Sequence, residues 1–316
     1  MPHVSVLSQE IIAALHPRKG GVFVDGTFGG GGHSRLLAKL IGKSGRLISF
    51  DADSTVFNPA IVKELNGYTT FTPVVSNFRN MGDELHSMGI EAIDGSVFDL
   101  GLSSTQLEES GRGFSFMRDE PLGMTFSVSP LEGETTAESI VNHWKEETIA
   151  VILKGFGEER FARAIAKGIV EGRKAGPITT TGALTEIIRK CTPSWYRNGK
   201  THFATKTFQA LRMATNDELG AIEAGITAVV PYLAPKGVIA VISFHSLEDR
   251  LVKTLFRRFE KEDKSLTILT KKPLVPSEGE VRANPRSRSA KLRIAEKVRS
   301  EAKKQEKKEK KKATNK

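Results

Sequence analysis

The stretch Asp25-Gly-Thr-Phe-Gly-Gly-Gly-Gly-His33 limits most strongly what this chain can fold into. It follows the short apolar run Gly21-Val-Phe-Val and leads into a helical pattern from His33 to Ile41, with Leu36, Leu37 and Leu40 on one face. A second apolar run, Arg46 to Phe50, completes a strand-loop-helix-strand unit, whose two strands are expected to be parallel. Four consecutive glycines strip the turn of side chains, so backbone can approach a ligand closely. Asp51 ends the second run, 20 residues beyond Gly31, where a carboxylate can accept hydrogen bonds from both hydroxyls of a ribose. Loop and acid together describe a site for a nucleoside-containing cofactor.

The loop fits a dinucleotide fingerprint only in part. Aligned from Gly29, it places Ser34 where a third glycine should let helix and strand pack closely. Asp25 stands at the strand tip, where an anion suits the ammonium of a methionyl group better than a pyrophosphate. S-adenosylmethionine is therefore favoured over NAD, with an NAD-dependent oxidoreductase as the weaker alternative.

Further strands are expected over Thr70 to Val75, Ser96 to Leu100 and Val238 to Phe244, with helical stretches between. The alternation predicts an α/β fold, a Rossmann-like, doubly wound and mostly parallel sheet. Asp99 falls at the carboxyl end of its strand, beside the first, where ligands of open sheets bind. It can accept hydrogen bonds from an amine or from the cofactor. Alternatively it caps the next turn, a task Ser103 or Ser104 could take instead.

Between Asp99 and Val238 the pattern turns helical. Ala137, Ile140, Val141 and Trp144 share one face, and Phe161, Ile165 and Ile169 another. The expected organisation is a cofactor-binding first part over 1–106, a helical insertion over 107–205, a second part over 206–298 in which a helix from Asp217 to about Val230 returns the chain to the sheet, and a basic tail over 299–316. Within Ile187 to Asn216 no acidic residue occurs, while Arg189, Lys190, Arg197, Lys200, Lys206 and Arg212 alternate with Trp195, Tyr196, Phe203 and Phe208. That mixture suits phosphate contact plus base stacking, although a solvated helix face over a small core reads the same way. His202 and His245 lack any metal-binding spacing, and no metal is expected.

Composition narrows the class further. With 316 residues, 39% hydrophobic, the chain can bury a large core and a smaller satellite. Cys191 is its single cysteine, so no internal disulfide forms and a reducing compartment is expected. The first residues carry no secretory or transit pattern, and the apolar stretch Gly225 to Phe244 is interrupted by Pro231, Pro235, Lys236 and Gly237. A cytoplasmic protein without a membrane span is expected. Of the net charge of +10, the run Lys291 to Lys316 holds twelve Lys or Arg against four Glu, or +8. Beyond Arg299 it has no apolar stripe and reads as a solubilising extension or a phosphate-seeking arm.

Eight segments, HVSVLSQE, VDGTFGGGGHS, FDLGLSSTQL, RGFSFMRDEPLGM, GEERFARAIAKGIV, HFATKTFQALR, VISFHSLEDRLVK and NPRSRSAKLRIAE, resemble those of the bacterial ribosomal RNA small subunit methyltransferase H family, in order from His3 to Glu296. The resemblance implies transfer of a methyl group from S-adenosylmethionine to N4 of a cytosine in the decoding region of the small-subunit RNA. It implies cofactor contacts at Gly31, Gly32, His33, Asp51, Phe78, Asp99 and Gln106. Asp99 is the expected acceptor for the amine hydrogens. Arg197, Lys200, Lys206, Arg212, Phe244 and His245 are substrate candidates. DNA amino-methyltransferases commonly follow this acid with Pro-Pro and an aromatic. Here Leu100-Gly101-Leu102 stands instead, so a stacking ring must come from Phe114, Phe116 or Phe244. One segment departs from the family pattern: Pro121-Leu-Gly-Met-Thr-Phe-Ser127 replaces two acids and an arginine by Gly123, Thr125 and Ser127. That departure motivates an alternative, a non-catalytic RNA-binding assembly factor on the same fold.

Overall fold

The chain divides into two compact units, one of residues 1–101 with 220–316 and one of residues 102–219. The computed structural model describes residues 5–103, 106–107, 110–128 and 133–299. Ser104 and the tail from 300 onward lie outside them.

In chain order the first unit begins with α1 (Ser8–Leu15), β1 (Val22–Asp25), α2 (Gly32–Ile41), β2 (Arg46–Asp51), α3 (Pro59–Tyr68), β3 (Thr70–Val75), α4 (Met81–Ser87) and β4 (Ile93–Asp99). The helical unit follows with α5 (Ala137–His143), α6 (Glu146–Gly157), α7 (Ala162–Gly172), α8 (Thr181–Cys191), the short α9 (Ser194–Arg197) and α10 (Thr205–Asn216). Then come α11 (Glu218–Val229), β5 (Leu233–Ser243), α12 (Ser246–Lys261), β6 (Leu266–Ile268), α13 (Glu278–Ala283) and β7 (Lys291–Lys297).

Seven strands form one sheet in the order β3-β2-β1-β4-β5-β7-β6. From β3 to β5 neighbours run parallel, and β7 runs antiparallel to both β5 and β6. This is the doubly wound, mostly parallel sheet that the alternating pattern predicts. Its order reverses between β1 and β4, so the carboxyl ends of these two strands border the crevice where such sheets take ligands.

Local chemistry explains most element boundaries. Asn58 caps α3, its side chain accepting from the Ile61 N–H with Pro59 at the first helical position. β3 spans the residues its alternation marks. β4 and β5 begin earlier than their apolar runs, because their pairing shifts register between Ile93 and Gly95. There β5 passes Pro235, Lys236 and Gly237, with Lys236 at φ 72°, as a bulge instead of a break. The buried face of α2 is His33, Ser34, Leu37, Ala38 and Ile41, whereas Leu36 and Leu40 face solvent. The expected Leu36-Leu37-Leu40 stripe is thus rotated: the covered arc includes two polar residues engaged beneath the glycine loop.

β7 has no counterpart among the strands expected from the sequence, although its residues fall within the expected second part over 206–298. Leu292, Arg293, Ile294 and Ala295 are nonetheless buried, and six positions pair with β5. Arg293 is tolerated there because Asp249 Oδ1 lies 2.6 Å from its Nε. Phe23, Leu37, Leu47, Val97, Ala240 and Ile294 belong to this unit's continuous core. Each large apolar side chain contributes roughly 1.5–3 kcal/mol on burial.

A separate core holds the helical unit, including Ile140, Ile149, Ile165, Leu184, Phe208 and Leu211. Thr136 and Ser139 form a capping box at the start of α5, and Thr180 caps α8. The unit extends to Leu219, beyond the expected border at Thr205, because Phe208, Ala210 and Leu211 of α10 bury into this core. Gly157 makes the crossing of α6 and α10 close: a Cβ there would overlap the Lys206 carbonyl. The altered segment after Pro121 is braced by backbone. The Met124 N–H donates to the Arg112 carbonyl (2.7 Å), and Asn216 accepts from the Phe126 N–H (2.8 Å) while donating to the Met124 carbonyl (2.7 Å).

Candidate active site

Three strand ends and the glycine loop of the first unit build the site. Asp25 ends β1, Asp51 ends β2 and Asp99 ends β4. The loop is pinned over its first residues, the Gly26 N–H donating to the Val97 carbonyl and the Phe28 N–H to the Phe50 carbonyl, each at 2.8 Å. Gly31 adopts φ 71°, and a Cβ on it would lie 2.7 Å from Phe28 Cζ. Only glycine meets both demands. Gly32 likewise has no room for a side chain, because Ser5 Oγ occupies that place.

The three acids differ in what holds them. Asp25 is buried, one oxygen accepting from the Thr27 N–H (3.1 Å) and the other from Ser34 Oγ (2.7 Å), which also contacts Ser49 Oγ (2.8 Å). Burial raises its pKa against the lowering effect of the Ser34 hydrogen bond. Buried and with a hydrogen bond accepted on each oxygen, Asp25 shapes the start of the loop, and its expected role toward an ammonium rests on its strand-tip position alone. Asp51 accepts from the Gly29 N–H (2.8 Å) on one oxygen and from the Asp53 N–H (2.9 Å) on the other. Burial pushes its carboxyl up to about 6, with those two hydrogen bonds opposing. A carboxylate offers about four lone-pair sites, so acceptor capacity remains for hydroxyl donors.

Asp99 is anchored through its backbone, whose N–H donates to Thr27 Oγ1 at 2.6 Å. Its Oδ2 lies 3.4 Å from His33 Nε2. Its Oδ1 is buried and has no hydrogen-bond partner among the described residues, and neither ring nitrogen of His33 makes an aligned hydrogen bond there. Burial alone would lower the His33 pKa, but Asp99 and then Asp25 more than offset it, and the imidazole is held above its ordinary value. Phe78 stands edge-on to Phe98 at 5.7 Å, and a Cβ on Gly225 would lie 2.6 Å from the Phe78 ring. Phe244, half-buried beside this core, sits near Gly101, while Phe114 is buried in the helical unit. In that unit Phe116 stacks on His202 at 4.4 Å.

These residues fit a sulfonium nucleoside. Gly31 and Gly32 leave backbone uncovered, Asp51 can take a ribose diol, and the unpaired Asp99 oxygen offers an acceptor at the switch point. Thr27, which fixes Asp99, escapes the sequence reading, though its place inside the loop next to Asp25 is the signal that could have found it.

A family model described as MraW methylase family matches residues 1–298. This chain belongs to that family. It is 42% identical to "Ribosomal RNA small subunit methyltransferase H" of Brevibacillus brevis (strain 47 / JCM 6285 / NBRC 100599), over 94% of this chain and 98% of that protein. It is 44% identical to the protein of the same name from Geobacter sulfurreducens (strain ATCC 51573 / DSM 12127 / PCA), over 94% and 99% respectively. Among solved structures, NSun6 from Pyrococcus horikoshii with SFG aligns at a TM-score of 0.45 and 13% identity, covering 94% of this chain and 53% of that one.

The remaining predicted residues of this MraW family member divide sharply. Gln106 joins Ser103 in a reciprocal cap: the Ser103 N–H donates to its Oε1 (3.0 Å) and the Gln106 N–H to Ser103 Oγ (3.1 Å). His245 caps α12, its Nδ1 accepting from the Glu248 N–H, and the Phe244 N–H donates to Glu248 Oε2 (2.8 Å). His245 thus has a structural role as a cap through Nδ1, beside its expected place among substrate contacts. The Arg212 guanidinium meets Glu218 at 2.6 and 2.9 Å, and both side chains are largely buried. Phe208 is core. Arg197 donates to the Arg189 carbonyl (2.8 Å), Lys206 donates to the Glu158 carbonyl (3.0 Å), and Lys200 is exposed. No helix among the described residues is long and apolar enough to cross a membrane.

Proposed function

We propose that this protein methylates N4 of a cytosine in the decoding region of small-subunit ribosomal RNA, using S-adenosylmethionine, in the cytoplasm. Its relatives carry the name of a small-subunit RNA methyltransferase over 94% of this chain, and the motif residues that the resemblance assigns to the cofactor are all present. The observation that carries the reading is Asp99: a buried, unpartnered carboxylate oxygen at the carboxyl end of β4, where the sheet order reverses. When bound, S-adenosylmethionine supplies an electrophilic methyl on a sulfonium. Asp51 would accept from the ribose hydroxyls, and the backbone of Gly31 and Gly32 together with Phe78 would hold the nucleoside. The resemblance also assigns Gln106 to the cofactor.

An exocyclic cytosine amine is a weak nucleophile because its lone pair is delocalised into the ring. Asp99 Oδ1 accepts one amine hydrogen, turning the lone pair toward the methyl and balancing the positive charge that grows on nitrogen. His33, beside Oδ2, holds that carboxylate in place. The N–C bond would form as the S–C bond breaks, S-adenosylhomocysteine leaving as a neutral thioether and the extra amine proton passing late to water; positioning of this kind can lower a barrier by roughly 7–11 kcal/mol, so a strong base is not required.

The test is methyl transfer from labelled S-adenosylmethionine to small subunits lacking the modification, followed by nucleoside mass spectrometry. Formation of N4-methylcytidine supports the reading. Binding of the particle without transfer would sink it and favour the assembly-factor alternative, to which the altered charges at Gly123, Thr125 and Ser127 lend their only support.

A further inference from the structure

Exposed charge and exposed aromatic surface coincide at one corner of the helical unit, where α6 ends and α7 begins. A cleft of ≈ 690 Å³ opens there, lined by Lys154, by the turn Glu158 to Phe161, and by the first turn of α7 with Arg163. Glu158 turns the chain at φ 48°, and its carbonyl takes Lys206 Nζ from α10. Beside the cleft stands Trp195 of α9, 58% exposed and the most exposed aromatic among the described residues. Water contact of that extent on an indole is costly unless something covers it in use.

Trp195 is held as a platform. The Arg160 guanidinium lies 5.1 Å from its ring centroid, Phe161 packs at 5.8 Å, and Tyr196 meets it edge-on at 5.9 Å. Tyr196 is itself fixed, its hydroxyl donating to Glu159 Oε2 at 2.8 Å while Glu159 Oε1 accepts from the Phe161 N–H at 2.9 Å. The Glu159 carboxylate is thereby buried and engaged within the fold. What reaches solvent around the indole is cationic on balance: Lys154, Arg160, Arg163 and Lys206 against the one carboxylate of Glu158.

We propose that this corner binds single-stranded RNA, one base stacking on Trp195 while Lys154, Arg160 and Arg163 meet neighbouring phosphates. A flat ring flanked by arginine and lysine is the arrangement that grips unpaired nucleotides regardless of sequence. It rests on the reading of the substrate as ribosomal RNA. It adds to that reading a contact built from residues 154–163, which the basic-aromatic stretch Ile187 to Asn216 does not contain. The presented strand is unpaired, as it must be for a base to be methylated.

The test uses the full chain. The sequence holds two tryptophans, so Trp144→Phe leaves Trp195 as the sole indole reporter. Titration with a short oligouridylate should quench its emission, and a duplex RNA of equal length should not. Trp195→Ala should weaken oligouridylate binding by about fivefold or more, with Trp195→Phe recovering most of it. Lys154→Gln with Arg163→Gln, on exposed positions that leave the ring packing intact, should flatten the salt dependence of binding. Absence of quenching, or equal affinity of the Trp195→Ala protein with a native circular dichroism spectrum, overturns the proposal. So does impaired subunit binding without oligouridylate quenching, which would assign the corner to a ribosomal protein. Oligouridylate binding needs no methyl transfer, so a failure of the catalytic reading is seen separately.

Discussion

Burial holds the Asp51 carboxyl at about 6 instead of 3.8, although the Asp53 and Gly29 N–H groups pull the other way. The free folded protein therefore keeps a proton there that the unfolded chain has already lost. This proton-linked stability is present at low pH and is lost as pH rises through about 6. Ribose hydroxyls need the carboxylate as acceptor, so affinity for S-adenosylhomocysteine should rise roughly tenfold from pH 5 to pH 7 by calorimetry. Asp51→Asn should weaken binding at pH 7 and abolish most of that slope. Asp99→Asn keeps the size of the side chain but removes the anionic acceptor. Single-turnover methyl transfer should fall by about 10²–10⁴-fold, while stabilisation by S-adenosylhomocysteine is lost only in part. At this scale Asp51, Asp99 and the glycines are legible in the sequence, since spacing relative to strand ends places them. The partners of Asp25, His245 and Arg212 are not. Residue type announces a charge or an imidazole, but whether it meets Ser34, caps a helix or pairs with Glu218 depends on neighbours brought together by folding.

Two helices carry glycines whose purpose is close approach. Gly157→Ala would press a methyl into the Lys206 carbonyl and separate α6 from α10, with an expected loss of roughly 1–3 kcal/mol in chemical denaturation. Gly225→Ala would instead push on the Phe78 ring and carbonyl. Its signature should be weaker S-adenosylhomocysteine binding at a smaller cost in stability. β1, β2 and β3 are readable because they are short apolar runs bounded by turn residues. β7 is hidden by its charges: Lys291, Arg293, Glu296 and Lys297 surround its apolar residues, and only pairing with β5 and the Asp249 ion pair make Arg293 compatible with a strand interior. The α2 stripe fails for a related reason, because Ser34 is covered to hold Asp25 while Leu36 and Leu40 stay exposed.

For the whole molecule, net charge and its placement govern approach to RNA. Residues 300–316 hold eight Lys and three Glu, or +5 of the total +10. Removing them should shrink the slope of log affinity against log salt by about 0.7 for each phosphate that is no longer neutralised, as measured on unmodified small subunits by filter binding. An unchanged slope would assign the run to solubility. The two units have separate hydrophobic cores, so a single unfolding free energy for the whole chain is not guaranteed. Where the helical unit ends is not readable in letters: α10 carries the basic residues of a surface and the buried Phe208 and Leu211 of a core.

The order of apolar runs, the four glycines and the acids at strand ends determined by themselves the parallel sheet and the place of its crevice, since these depend on spacing along the chain, and the long motif segments carried the resemblance to the family. Tertiary structure alone decided which charges are spent inside the protein. Asp25 is covered, Arg293 and Arg212 are paired, and Trp195 with Arg160 remains outside, because burial and partnership are properties of residues far apart in sequence and close in space.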